Sequence, residues 1–454
     1  MSLAGRPFLP LLETFGDAAM HAVFSEQAAL RAWLEVERAL AGAQADVGLL
    51  PRSAAEAIRE DLAAADLAPG ELAEGTRHVG YPILPLLQAI GRSARPEVRA
   101  YLHWGATTQD IMDTGLALQL REALARIDTL ERDLGSVIAL RAVEHRDTVM
   151  AGRTHGQQAV PTTFGAKAAS WLDELTRHHR RLEELRPRLL VVQLFGAGGT
   201  GAALGEAGAS VRRRLAERLG LGSVDVPWHT SRDSLAEACF VVAGASGLCV
   251  RIAREVIDLA RTEIGELREA VTHGRGASST MPQKSNPILS EAIVGLGTVA
   301  ATQLPGAWAA MQPRHERAAG EWQVEWDVIP TLFANAAGAL ARTTEMLEGA
   351  AVEARRMRAN LEAEGGLIMA EALMMALAPA SGRARAHDLV YDLCLHARAQ
   401  GRSLREVAEA ELEPDLVKRL PPIASILDPL AYLGEVGAIV DGAVRAWESE
   451  VARS

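Results

Sequence analysis

Aromatic side chains are scarce, 4% of the 454 residues, so the core must be built from Ala, Leu and Val. Side chains that small suit helices packed closely against one another. Cysteine is almost absent. Cys239, Cys249 and Cys394 are widely spaced and odd in number, which excludes a disulfide framework and a cysteine metal cluster. Cys239 and Cys249 fall in an apolar helical stretch and read as core residues, in keeping with a reducing cytosol. An excess of positive charge is also missing. The formal net charge is −11, so there is no electrostatic footprint for nucleic acid, although a local basic pocket could still take a small anionic substrate. Lysine is the rarest cation. Lys167, Lys284 and Lys418 stand against 44 arginines, since Lys and Arg together number 47. A lysine inside a chemical motif therefore carries more weight than usual.

What is present is ordinary for a folded chain. Hydrophobic residues are 48% and charged residues 23%, which excludes disorder as the main state. The length predicts two to four domains or one large multi-part unit, at roughly 100–200 residues per domain. No basic region followed by an apolar run opens the sequence, so no signal peptide is expected. The most apolar stretch, Ala238 to Val250, is bounded by Glu237 and Arg251 and is shorter than the about 20 residues a bilayer needs. A cytoplasmic protein without a membrane partner is expected.

Helical periodicity dominates. Between Ser25 and Val47, residues Ala29, Leu30, Trp33, Leu34, Val36, Leu40 and Ala41 recur at three-and-four spacing. The same pattern predicts helices over Thr114–Arg146, Thr163–Leu185, Asp233–Leu267, Ser290–Met311 and Val328–Asn360. Strands should be few, because no β-branched alternating run competes. Apolar residues of Asp233–Leu267 occupy more than one stripe, so that helix needs cover on most sides. A long bundle packing on copies of itself meets that need, and a homo-oligomer is expected. Composition shifts near 105 and 355 divide the chain into a helical part over 1–105, a long-helix centre over 106–355 and a helical part over 356–454.

Polar groups concentrate in loops. In Gly276-Ala277-Ser278-Ser279-Thr280-Met281-Pro282-Gln283-Lys284-Ser285-Asn286-Pro287, small residues lead to a cation and an amide just before a helix. Two serines, Lys284 and Asn286 could surround a carboxylate. A mere flexible connector leaves unexplained why one of three lysines sits there. Gly196-Ala197-Gly198-Gly199-Thr200-Gly201 lacks the preceding strand of a phosphate fingerprint and reads as a tight turn after a helix end at Leu185–Leu194. No metal-ligand cluster is visible, and no cofactor is expected.

The 276–287 segment resembles the signature of the fumarase/aspartase superfamily, Gly-Ser-Ser-x-Met-Pro-x-Lys-x-Asn-Pro, with Ala277 as a small variant. His103-Trp104-Gly105-Ala106-Thr107-Thr108-Gln109-Asp110 and Gly152-Arg153-Thr154-His155-Gly156-Gln157-Gln158-Ala159-Val160-Pro161 are similar to its two earlier segments. The resemblance implies an all-α fold of three helical domains whose central bundle assembles in a tetramer, with composite active sites from three subunits. It also implies removal of a proton beside a carboxylate, through an aci-carboxylate intermediate, with expulsion of a neighbouring group. By position Ser278 would be the general base, and Lys284 and Asn286 would hold the carboxylate whose charge grows. Thr107 and Thr108 would bind a substrate carboxylate, with Gln157 and His78 as further substrate contacts. His155 would pair with Glu291.

Pro227-Trp228-His229-Thr230-Ser231-Arg232-Asp233, Ser278 to Met281, and His315 to Trp322 followed by Glu325-Trp326 resemble the 3-carboxy-cis,cis-muconate cycloisomerase branch. That branch closes or opens a lactone on a tricarboxylate. His155 together with Glu291 is instead the pattern of the fumarate-releasing lyases. Gln283 and Ser285 replace the His and Arg common in cycloisomerases and adenylosuccinate lyases, which weakens a nucleotide reading. The sequence therefore favours a cycloisomerase-like scaffold acting as a lyase on a substituted succinate. Cycloisomerisation is the alternative, and a non-catalytic crystallin-like relative is a third reading that the intact motifs oppose.

Overall fold

The computed structural model describes residues 11–270, 276, 279–281, 283–317 and 320–453. The all-helical expectation holds. The chain divides into two compact, discontinuous units: Met1–Glu131, His178–Cys249 and Gly295–Ala341 in the first, and Arg132–Arg177, Val250–Val294 and Arg342–Ser454 in the second.

Six helices and one hairpin matter for function: α1 (Glu26–Asp46), α2 (Thr108–Glu144), β1 (Val149–Thr154), β2 (Gln157–Thr163), α3 (Phe164–Leu189), α4 (Asp233–Leu259), α5 (Ile288–Thr302) and α6 (Glu321–Gly349). With 37 residues, α2 is about 55 Å long at the usual rise per residue. Ser25 sits in extended backbone before α1, and its Oγ accepts from the Ala28 amide at 3.2 Å, satisfying one of the donors a helix start leaves open. In the first unit Leu30, Val36, Leu40, Ile58, Leu86 and Val211 form the buried core. In the second, Leu373, Leu377, Leu393, Leu404 and Val407 do the same among the C-terminal helices. Cys239 and Cys249 are buried, as their apolar helix implied, and burial pushes the Cys239 thiol up to about 12.

Gly135 shows why a residue without a side chain stands inside α2. A Cβ there would come within 2.0 Å of the Trp447 ring, which packs directly on the helix backbone.

Several boundaries differ from the periodicity reading. Helix α2 begins six residues before Thr114, because the buried Asp110 anchors its first turn. The run starting at Asp233 stops at Leu259, where Thr262 and Gly265 (φ 63°) turn the chain. The run starting at Val328 is interrupted by a short strand, Ala351–Val352, paired with Leu267–Arg268. Val191–Val192 is a short strand paired in parallel with Gly222–Ser223, so a strand does precede the glycine-rich stretch, contrary to the helix end expected there. The apolar run at Ala238 extends into a 27-residue helix, so length alone does not exclude a membrane span. By length and composition α4 and the 22-residue stretch Ile288–Ala309 could each cross one; 56% and 39% of their apolar windows are buried inside the protein.

The segment 152–163, which precedes the helix predicted from Thr163, is mostly hairpin. Val149 pairs with Thr163 and Thr154 with Gln157, with an irregularity at Gly152/Arg153. His155 (φ 52°) and Gly156 (φ 75°) are its two central turn residues. Positive φ at both is the type I′ geometry that matches strand twist.

Candidate active site

The carboxylate-binding loop predicted at Thr107 and Thr108 is built in the first unit around Asp110, which has no solvent exposure. One oxygen of Asp110 accepts from the Phe195 amide at 3.0 Å and from His229 Nε2 at 2.8 Å. The other accepts from the amides of Thr107 at 3.0 Å and Gly196 at 2.9 Å. One buried carboxylate thus ties the threonine loop to the glycine-rich stretch, and each partner satisfies a donor that burial would otherwise leave unpaired. The amides of Gly196, Gly199 and Gly201 are used inside the protein, which takes half of the stretch's donors away from any phosphate.

Arg317 reaches the same place. Its Nη1 donates to Thr107 Oγ1 at 2.9 Å, and its Nη2 to the Ala197 carbonyl at 2.8 Å and the Gly196 carbonyl at 3.4 Å. A guanidinium therefore sits against the loop that would bind a carboxylate. Arg317 lay in a segment used to choose the branch and was not read as a site residue. Its contact with Thr107 spans 210 positions, and no local spacing signals it.

His103 opens the loop in left-handed backbone, φ 61°. Its Nδ1 lies 2.5 Å from Oε1 of Glu37, a residue of α1 that is 1% exposed. Burial opposes the imidazolium, but the Glu37 hydrogen bond and charge, with the charge of Asp110, outweigh it and raise the His103 pKa. Gln44, two helical turns further along α1, donates to the Trp104 carbonyl at 2.6 Å.

One turn below the threonines, Asp113 joins Arg232 and Glu325 in a buried triad. Arg232 contacts Asp113 at 2.6 Å and Glu325 at 2.6 Å. Trp322 Nε1 donates to Asp113 at 3.2 Å, and Tyr81 stacks on Trp322. Burial opposes the Arg232 charge, and the two carboxylates outweigh it and raise its pKa. Burial also pushes the Glu325 carboxyl up, with Arg232 pulling it back. The Trp-His-Thr-Ser-Arg and Glu-Trp segments that marked the branch are thus largely internal scaffolding. His78 is exposed in the last turn of the helix Pro69–Val79, and no hydrogen bond joins it to Thr107 or Thr108 among the described residues.

The second unit carries the remaining candidates. His155 and Gln157 are exposed at the hairpin tip. The hairpin is pinned by Arg153, which forks onto the fully buried Glu266 at 2.8 and 2.6 Å, while Asn360 Nδ2 adds a bond to Glu266 at 2.7 Å. Ser278 lies outside the described residues. The Asn286 amide and Nδ2 both donate to the Gly276 carbonyl at 3.0 Å, and Gly276 has φ 68°. Lys284 is exposed. Lys167 and Lys418 ion-pair with Glu255 and Asp415, whereas Lys284 pairs with no acid among the described residues. Glu291 is exposed in the first turn of α5. The start of α5 is capped by Glu269, which accepts from the Leu289 and Ser290 amides at 3.1 and 2.7 Å. Within one chain no hydrogen bond or ion pair joins His155 to Glu291 among the described residues. The chain thus brings Thr107 to Arg317 and Asn286 to Gly276, and leaves His155, Gln157, Lys284 and Glu291 facing solvent.

Comparison with known proteins converges on one family. The Lyase family model matches residues 14–302, and the Adenylosuccinate lyase C-terminus model matches residues 366–443. A 3-carboxy-cis,cis-muconate cycloisomerase of Pseudomonas aeruginosa is 44% identical over 439 residues, 95% of this chain and 94% of the relative. An N-acetyl-S-(2-succino)cysteine lyase of Dickeya dadantii is 37% identical over 443 residues, 96% of each chain. The crystal structure of 3-carboxy-cis,cis-muconate lactonizing enzyme from Pseudomonas putida superposes with a TM-score of 0.90 at 39% identity, covering 97% of this chain and 99% of that one. With a lyase family model over more than half its length and full-length relatives of both reaction types, the chain belongs to the fumarase/aspartase superfamily and is an enzyme of its lyase and cycloisomerase kind.

Proposed function

We propose that this enzyme is a cycloisomerase of small tricarboxylates, interconverting a carboxy-muconate and its lactone. The observation that carries the reading is the guanidinium of Arg317 hydrogen-bonded to Thr107, which adds a fixed cation to a loop already supplied with hydroxyl donors. The relatives support it, since three muconate cycloisomerases match at 44, 42 and 40% identity, against 37 and 33% for two succino-cysteine lyases. This reverses the order favoured from sequence, where the presence of both His155 and Glu291 placed β-elimination from a substituted succinate first. That lyase reading stays second, on the same two residues.

Both reactions share one step. Ser278 takes the proton from the carbon beside a carboxylate, and Lys284 and Asn286 hold that carboxylate as it becomes the aci-carboxylate. The electron pair then expels the neighbouring substituent. In lactone opening the broken bond is carbon to lactone oxygen, and the leaving group is a carboxylate of the same molecule. In the lyase the leaving group departs and fumarate remains. Thr107, Thr108 and Arg317 anchor the spectator carboxylates, with Gln157 and His78 as further contacts. His155, oriented by Glu291, delivers the proton to the leaving side.

The two exposed halves of that pair support a homotetramer in which His155 of one subunit meets Glu291 of another. The division at 1–105, 106–355 and 356–454, a cytoplasmic location and the absence of a cofactor requirement complete the proposal. The test is to offer the purified enzyme 3-carboxy-cis,cis-muconate and its lactone beside a panel of substituted succinates, S-succinylated cysteines included. Muconate interconversion without fumarate release is expected. Fumarate release alone would establish the lyase reading, and turnover of neither class would overturn both.

A further inference from the structure

Two helices of the first unit bring together ionisable side chains that the proposed reaction does not use. Asp128 and Glu131 lie one turn apart on α2, and His179 and Glu183 one turn apart on α3. Asp128, His179 and Glu183 each present a ligand atom, and these atoms lie within 4.8 Å of one another. His179 has no solvent exposure, and its Nε2 is 2.9 Å from Oδ1 of Asp128. Glu183 also meets Arg186 Nε at 2.8 Å.

Glu131 supplies an independent observation. It is 1% exposed, and its Oε2 has no hydrogen-bond partner among the described residues. Buried polar atoms are rarely left so. Glu131 lies one turn from Asp128 along the same side of α2, and burial, with the charges of Asp128 and Glu183, pushes its carboxyl well up.

We propose that Asp128, His179 and Glu183, with the buried Glu131 beside them, form a binding site for one divalent transition ion of the zinc type. A set of one imidazole and two carboxylates suits zinc, manganese or iron. Zinc takes nitrogen and oxygen ligands at about 2.0–2.2 Å, a geometry that ligand atoms a few ångströms apart reach by small side-chain adjustments. A water held by the ion gives the unpaired oxygen of Glu131 a partner. The ion ties α2 to α3 and takes no part in proton abstraction.

The test uses the full-length protein, freed of metal by chelation and titrated calorimetrically with zinc chloride. One ion per chain is expected. The His179→Gln, Glu183→Gln double variant should weaken binding by at least about 100-fold. His396→Gln, which alters an exposed histidine paired with Glu411, should leave it unchanged. Substoichiometric binding, binding that survives the double variant, or binding lost with His396 would mean an adventitious ion only and overturn the site. Cobalt(II) added to the unmutated protein gives a reading independent of variant folding. Visible absorption of a four- or five-coordinate ion is expected, and the spectrum of the aqua ion alone would overturn the proposal.

Discussion

Ser278 and Arg317 are the two side chains whose loss should separate chemistry from binding. Ser278→Ala removes the proposed base and leaves the proposed carboxylate contacts. Turnover is expected to fall by at least the ~10²–10⁴-fold typical of a general base, with KM little changed. His155→Ala should cost less, and Glu291→Gln should be a milder version of it. The two should be non-additive, because they disable one unit. A Ser278→Ala enzyme with near-normal turnover beside a dead His155→Ala enzyme would reject these roles. Arg317→Ala should act mainly on KM, by roughly tenfold or more, the scale of one charge-assisted hydrogen bond. It should also cost lactone more than a dicarboxylate, and equal losses would remove Arg317 from the binding loop. The candidate serine, lysine and asparagine could be named from the sequence because they lie within one short segment, 278–286. Arg317, Asp110 and Glu37 were not, since their meaning comes from contacts dozens to hundreds of positions away.

Elements are where sequence periodicity did well and where it stopped. The long helices follow from their apolar spacing to within a few residues at most ends. The hairpin Val149–Thr163 escaped because its alternation is short, and its turn residues, His155 and Gly156, are not the Asn-Gly pair that announces a type I′ turn. Gly156→Val should destabilise the hairpin by about 1–2 kcal/mol, the cost of a left-handed residue with a Cβ, and a thermal melt equal to wild type would contradict the turn. Asp110→Ala orphans three backbone amides and His229. A loss of several kcal/mol is expected, at about 1–3 kcal/mol per buried unpaired group with partial relaxation. Chemical denaturation measures it. His103 adds a pH dependence. Its folded pKa is raised above the unfolded value, so its stabilising term is full below the unfolded pKa and fades as pH rises through the folded one. The melting temperature should therefore decline across that window, and His103→Asn should flatten the decline. An unchanged slope in that variant would show that the His103–Glu37 pair does not set it.

For the whole molecule, assembly is the property that the sequence suggested by excess rather than by motif. Helix α4 is apolar on more than one stripe, and Phe240 on it is 64% exposed in the single chain, as is Leu140 on α2. Such surfaces call for cover. Light scattering should give the mass of a tetramer, and an active monomer would refute it. Mixing inactive Ser278→Ala and His155→Ala proteins should restore part of the activity after subunit exchange. Exchange proven by mass spectrometry with no recovered turnover would count against sites shared between subunits.

The backbone at His103, His155 and His315 is left-handed in each case, with φ of 61°, 52° and 55°, and each stands in or beside a segment that carries site residues. This shapes which sequences can drift through the family. A left-handed residue without glycine's freedom is best tolerated as Asn, Asp or His. In a saturation library sorted only for folded protein, these three positions should accept Gly and Asn and reject Val and Ile. Sorted for turnover, His155 should narrow towards histidine while the other two keep Asn. His155 thus lies on a short mutational path where loss of chemistry should leave the fold intact, a route by which an enzyme lineage yields inactive but stable descendants.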